Sequence, residues 1–225
     1  IQEHRLPIET VVGISTDKAC KPVNVMGMTK AIQERVFIQA NMRCPETRFV
    51  CVRYGNVLAW CGSVIPLFHE QIKNGGPVTI TTSDMTRFLL SLDQAVDTVF
   101  AAVREANRGE TYIPRVPSAL VTDIAALLIG NRPIETVVTG IRPGEKVHEI
   151  LVSEEECHRT VDRGQYYAIL PMLPEVGGQD IFQGALTGEY SSAGSVMPRE
   201  VLGELLQNFR LMVDDNLQLD GELLR

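Results

Sequence analysis

The chain has 225 residues, 44% of them hydrophobic and 22% charged, a balance that fits a folded globular protein and excludes a disordered or collagen-like chain. Its net charge of -7 argues against nucleic acid as the main partner, since binding a phosphate backbone needs clustered Lys and Arg, but a small phosphorylated ligand stays open. No stretch approaches the ~18–20 apolar residues that span a bilayer, so no membrane segment is expected in this chain.

Residues Ile8–Ser15 (IETVVGIS) read as a β-strand, apolar and β-branched in the middle. Gly27–Asn41 reads as a helix with Met28, Ile32, Val36 and Ala40 at i, i+4 spacing. Arg48–Arg53 is a second short buried strand, so the chain opens strand, helix, strand, the start of a parallel α/β sheet. A loop at Tyr54–Ser63 leads to a helix around Ile65–Lys73, a turn at Asn74–Pro77, and strands at Val78–Thr81 and Arg87–Leu90. Asp93 is expected to cap a helix running to about Glu105. Further strands are expected at Thr111–Pro114, Ile134–Val138 and Tyr166–Leu170, with helices from about Asp123 to Leu128 and near Pro198–Val213.

The five cysteines (Cys20, Cys44, Cys51, Cys61, Cys157) form no CxxC pair and are odd in number, which argues for reduced thiols in a cytoplasmic protein. His4, His69, His148 and His158 show no ligand spacing, so no metal is expected. Glu154, Glu155 and Glu156 read as a solvated helix start.

A doubly wound nucleotide-binding sheet begins with a strand, a GxGxxG turn and a helix, and this sequence contains no GxGxxG. Either the sheet does not bind a dinucleotide, or the sequence starts late in such a fold. The chemistry-bearing segments favour the second. Ser15-Thr16-Asp17-Lys18 ends the first strand, where open α/β sheets place ligand groups, and an acid beside a base suits proton transfer. Met26 and Lys30 share one helix face, and a Lys there suits ribose hydroxyls and a developing oxyanion.

Together these segments, with Arg53-Tyr54-Gly55-Asn56-Val57, Gly62-Ser63-Val64-Ile65-Pro66-Leu67-Phe68, Met85-Thr86-Arg87-Phe88 and Arg142-Pro143-Gly144-Glu145-Lys146, resemble the polysaccharide-biosynthesis branch of extended short-chain dehydrogenases/reductases. That branch contains the UDP-N-acetylglucosamine 4,6-dehydratases, including capsule-synthesis enzymes that invert C5. The resemblance covers nearly the whole chain and weakens after about residue 170, although Glu189-Tyr190-Ser191-Ser192 also fits. The implied fold is α/β: the C-terminal part of a Rossmann-type parallel sheet over residues 1–60, without its first half. Residues 61–225 would form mainly a smaller α+β nucleotide-sugar domain, with some segments returning to the sheet.

The resemblance implies a lyase that uses NAD or NADP, the discriminating residue lying in the absent first half. Such enzymes oxidise C4 of a UDP-sugar, eliminate water across C5 and C6, and return the hydride to C6. It makes Lys18 the base and Asp17 the acid, with Thr16 on the sugar O4 and Lys30 on the nicotinamide ribose; Thr16, Lys30 and Tyr54 are the cofactor contacts. A lysine base must be neutral, which calls for burial or a neighbouring cation. Met26 stands where most short-chain dehydrogenases carry the Tyr of YxxxK, so Lys18, or a water relayed to Lys30, must take the O4 proton. Asn56, Arg87, Arg142 and Glu145 are the implied substrate contacts, the two guanidinium groups suiting the diphosphate and Glu145 the ribose. Trp60-Cys61 interrupts a loop where relatives carry small and basic residues. A homo-oligomer is expected. A nucleotide-sugar 4-epimerase, or an inactive UDP-sugar-binding fragment, are the alternatives.

Overall fold

Strand β1 (Thr10–Thr16) passes through a single 3-10 turn (Asp17–Ala19) into helix α1 (Val25–Arg43), followed by β2 (Arg48–Tyr54), α2 (Val64–Lys73), β3 (Val78–Ile80) and β4 (Thr86–Phe88). Next come α3 (Leu92–Glu105), β5 (Thr111–Pro114), β6 (Ser118–Leu120), α4 (Val121–Ile129) and β7 (Thr136–Val138). The last elements are β8 (Ile150–Val152), α5 (Glu154–Cys157), β9 (Thr160–Arg163), β10 (Tyr166–Ile169), α6 (Pro174–Gly177), β11 (Tyr190–Ser191) and α7 (Arg199–Asn208). This computed structural model describes residues 1–215 apart from 2, 5, 59–62 and 178–183, so Trp60 and Cys61 lie outside the described residues. No helix among the described residues is long and apolar enough to cross a membrane.

The chain divides into two compact units. The first comprises Ile1–Gly55, Leu92–Arg115 and Ile150–Ser191. Its sheet has the order β1-β2-β5-β10-β9. β1, β2 and β5 run parallel, and β10 and β9 add antiparallel strands. β2 (RFVCVRY) is buried along its middle, as suits a central parallel strand covered on both faces. Val50 and Val52 pack with Ala101, Ala102 and Tyr112. The second unit comprises Asn56–Ser91, Val116–Glu149 and Ser192–Arg225. There Ile65 and Phe68 of α2, Ile124 and Leu128 of α4, and Leu202 and Leu206 of α7 form one apolar core beside the pairs β3–β7 and β4–β6.

Two expectations are corrected. Asp93 lies inside the first turn of α3 rather than capping it; there its carboxylate faces the positive end of the helix. An apolar helix stripe ordinarily faces the core. In α1, however, Met28, Ile32 and Val36 are 49%, 63% and 56% exposed, while Gly27, Glu34, Ile38 and Asn41 are buried. The polar side chains face the sheet because each has partners there. The Asn41 amide donates to the Phe49 carbonyl and accepts from the Phe49 N–H, both at 2.9 Å, pairing with β2 as a neighbouring strand would. Glu34 meets Arg53.

Arg53, 2% exposed in the middle of the unit, holds Glu34 at 2.6 Å and Glu156 at 2.8 Å. Burial opposes its charge, but the two carboxylates hold its pKa well above the usual value. Glu156 is also the N3 residue of a capping box with Ser153 at the start of α5. So the acidic run is solvated only in part: Glu154 and Glu155 are exposed, and Glu156 turns inward. Burial pushes the Glu156 carboxyl up, but hydrogen bonds and charge from Arg53 outweigh this and hold it at about 2.

Gly27 sits where α1 crosses the 3-10 turn. A Cβ there would lie 2.2 Å from the Lys18 carbonyl oxygen and 3.2 Å from the Pro22 side chain. The close approach of helix to backbone therefore requires glycine.

Two outcomes follow from this packing. Glu156 has a pKa below its unfolded value of 4.5, so its contribution is present above pH 4.5 and is lost as pH falls toward 2. Urea unfolding should show wild type losing on the order of 3 kcal/mol across that window, a loss absent from Glu156→Gln. Gly27→Ala would gain up to about 1 kcal/mol in helix propensity, but the contact with the Lys18 carbonyl reverses the sign, and a net loss of roughly 1–3 kcal/mol should appear in the same measurement.

Candidate active site

β1 and β2 pair in parallel over seven residues, from Thr10↔Arg48 to Thr16↔Tyr54, so their C-terminal ends finish side by side. Thr16 caps the 3-10 turn: its side chain accepts from the Lys18 N–H and donates to Asp17 Oδ1 at 2.6 Å. Asp17 is fully buried. The Lys18 ammonium donates to the same Oδ1 at 3.1 Å, its side chain 26% exposed. Asp17 Oδ2 is buried with no hydrogen-bond partner among the described residues. A buried polar atom left open in this way is costly. The sequence argument asked for burial or a cation beside Lys18; the structure supplies a carboxylate instead, because the 3-10 turn brings adjacent side chains together. The two form one ion pair at the end of β1.

In the first turn and a half of α1, Asn24 caps the helix by accepting from the Gly27 N–H at 2.8 Å. Met26 is 46% exposed. Lys30 reaches back to the same strand end, its ammonium donating to the Ile14 carbonyl at 2.9 Å and to Gln33 Oε1 at 3.0 Å. Tyr54 ends β2, and burial pushes its phenol above the usual 10. The first unit thus brings together Thr16, Asp17 and Lys18, and ties Lys30 to the strand that carries them.

The four implied substrate contacts belong to the second unit. Arg87 spends its guanidinium inside that unit, donating to the carbonyls of Thr86 at 2.7 Å, Val147 at 3.1 Å and Lys146 at 3.1 Å. It also lies 3.6 Å from Glu145 and 3.7 Å from Glu149. Glu145 accepts from Thr81 Oγ1 at 3.3 Å and from the Arg142 N–H at 3.4 Å. Arg87 and Glu145 therefore shape the loop that carries Arg142, whose side chain is exposed and has no ion-pair partner among the described residues. Asn56 is exposed beyond β2.

Sequence reasoning gave no role to Arg53, Glu34 or Glu156. A charged residue inside a buried strand such as RFVCVRY is the signal that was there to be read. The Glu189 motif has a concrete role as well: Glu189 ion-pairs with Lys21, and that hydrogen bond pushes the Lys21 ammonium up to about 12.

A family model described as polysaccharide biosynthesis protein matches residues 3–171. A UDP-N-acetylglucosamine 4,6-dehydratase (inverting) of Campylobacter jejuni is 39% identical over 185 residues, 81% of this chain and 55% of that protein. A UDP-glucose 4-epimerase of Rickettsia rickettsii is 44% identical over 166 residues, 72% of this chain and 49% of that protein. Among solved structures, Pen from Bacillus thuringiensis superposes with a TM-score of 0.80 at 32% identity, covering 92% of this chain and 63% of that one. A UDP-glucuronic acid 4-epimerase from Bacillus cereus in complex with NAD shares the fold, with a TM-score of 0.52 at 17% identity over 62% of this chain and 52% of that one. The chain spans about half the length of the curated relatives it matches. With its parallel sheet, its buried Asp17–Lys18 pair at a strand end and a family match over most of its length, the chain belongs to the polysaccharide biosynthesis protein family, on the Rossmann-type α/β fold of nucleotide-sugar dehydratases and epimerases.

Proposed function

We propose that this protein carries the acid–base apparatus of an inverting UDP-N-acetylglucosamine 4,6-dehydratase that serves surface-polysaccharide synthesis. The observation that carries this reading is the Asp17–Lys18 couple: a buried carboxyl with one oxygen on the Lys18 ammonium, 3.1 Å away, and the other open. Elimination of water from a 4-keto sugar needs a base at C5 and an acid at the C6 hydroxyl. One proton passed from Lys18 to Asp17 creates both, leaving a neutral amine and a protonated carboxyl.

The residues present fit one end of a nicotinamide dinucleotide. Lys30, whose ammonium reaches the end of β1, has donors suited to ribose hydroxyls, Thr16 ends that strand, and Tyr54 ends the adjacent one. When bound, NAD or NADP supplies the hydride acceptor for C4 and the hydride donor for C6. The O4 proton goes to water beside Lys30, because the Met26 thioether has no basic site and the Lys18 amine must stay free for the C5 proton. Thr16 Oγ1 orients O4. With C4 a ketone, the acidified C5 proton passes to the Lys18 amine, the C6–O bond breaks, and the Asp17 proton leaves with the hydroxyl as water. The Lys18 ammonium then returns a proton to C5 as C6 is reduced. In the second unit we assign the diphosphate to Arg142, with Arg87 and Glu145 holding its loop and Asn56 as a further polar contact.

A 4-epimerase is the second reading, favoured by the Rickettsia rickettsii relative at 44% identity. Epimerisation needs the same oxidation but no acid at C6, and so gives a buried Asp17 nothing to do.

The test is turnover of UDP-N-acetylglucosamine in D2O with NAD or NADP, followed by mass spectrometry. Wild type should yield a nucleotide sugar lighter by one water. Asp17→Asn and Lys18→Met should each lower kcat by about 10²–10⁴-fold. Recovered substrate should gain deuterium at C5 with wild type but not with Lys18→Met. Wild-type rates in either variant would overturn the assignment, and a product of unchanged mass would make the chain an epimerase.

A further inference from the structure

The Thr16–Asp17–Lys18 stretch is bracketed by Ser15 and Cys20, and both make contacts that converge on one side chain. Ser15 Oγ donates to Glu34 Oε1 at 2.5 Å. Cys20 Sγ lies 3.8 Å from Glu156 Oε2 as a weak donor. Both carboxylates sit on the guanidinium of Arg53, which is the register partner of Ser15 across the β1–β2 pair.

All five N–H donors of that guanidinium are used. Nε donates to Glu34 Oε1 at 2.9 Å and Nη2 to Glu34 Oε2 at 2.6 Å. Nη1 and Nη2 donate to Glu156 Oε2 and Oε1 at 2.8 and 2.9 Å. The last donor goes from Nη1 to the Leu151 carbonyl at 2.8 Å. Lysine has three donors on a point charge and cannot make two bidentate grips and a fifth bond.

The arrangement is a poor choice for stability alone. Two carboxylates and one guanidinium leave a net negative charge in a site where Arg53 is 2% exposed, and a buried ionic group of this kind is often no better than apolar side chains of the same volume. What it does provide is position: one rigid planar group fixes the residue on each side of the stretch.

We propose that Arg53 is the positioning residue of the Asp17–Lys18 couple, clamping the stretch from both flanks through Glu34–Ser15 and Glu156–Cys20. Arg53 touches neither Asp17 nor Lys18 in any of its five bonds and acts through its two carboxylates. The proposal rests on the reading of Asp17 and Lys18 as acid and base, and its test has one arm that does not.

Two variants decide it: Arg53→Lys, and the milder Ser15→Ala/Cys20→Ala, which cuts both flanks and leaves the three buried charges paired. The first readout is the rate at which a water-soluble acylating reagent labels Lys18, followed by peptide mass spectrometry with Lys73 of α2 as internal reference. Lys18 labelling should rise several-fold in both variants while Lys73 is unchanged. The second readout is turnover, where a small misplacement of reacting groups should lower kcat by about 100-fold with KM nearly unchanged. Should Arg53→Lys fail to fold, the double variant decides alone. A folded double variant with wild-type Lys18 labelling and wild-type kcat overturns the clamp. If wild type does not turn over the sugar, the function reading fails, and the labelling arm still decides whether Arg53 holds the stretch.

Discussion

The parallel register of β1 on β2 is the constraint from which the rest of the first unit follows. It sets Ser15 beside Arg53 and Thr16 beside Tyr54. Adjacent strands bonded over seven residues cannot slip by one without turning every side chain to the opposite face. With the register fixed, the guanidinium of Arg53 lies between α1 and α5, and Glu34 and Glu156 close on it. The 3-10 turn that follows β1 folds the Lys18 ammonium onto the Asp17 carboxylate.

The same constraint explains how α1 is oriented. Strand ends and a buried cation offer hydrogen bonds, and Glu34 and Asn41 meet those needs. The helix therefore turns its polar anchors inward and leaves Met28, Ile32 and Val36 outside. α3 behaves alike: Ala95, Thr98, Ala101 and Ala102 are buried while Leu92, Val96 and Phe100 are exposed. Small residues let α3 lie close to the sheet, and its large apolar side chains are displaced to the far side.

Hydrophobic periodicity therefore made the elements legible but not their faces. β1, β2, α2, β5 and β10 were readable because runs of β-branched residues or a regular apolar stripe set them apart. β6, β8, β9 and β11 were not read from the sequence. Asp17, Lys18 and Lys30 were singled out from a strand end and one helix turn together with the family resemblance. Their partners were not: Glu34 and Glu156 lie 122 positions apart in sequence (156 minus 34) and meet only through the fold. Arg87, expected at a diphosphate, donates to three carbonyls of its own unit.

The central claim is that Lys18 and Asp17 face C5 and the C6 hydroxyl of a bound sugar. The most direct measurement is a crystal structure of the full-length protein with UDP-N-acetylglucosamine and its dinucleotide. The account predicts Lys18 Nζ on C5 and Asp17 Oδ2 within hydrogen-bond reach, about 2.6–3.2 Å, of the C6 oxygen. A sugar seated with C5 and C6 turned away from both side chains would contradict it.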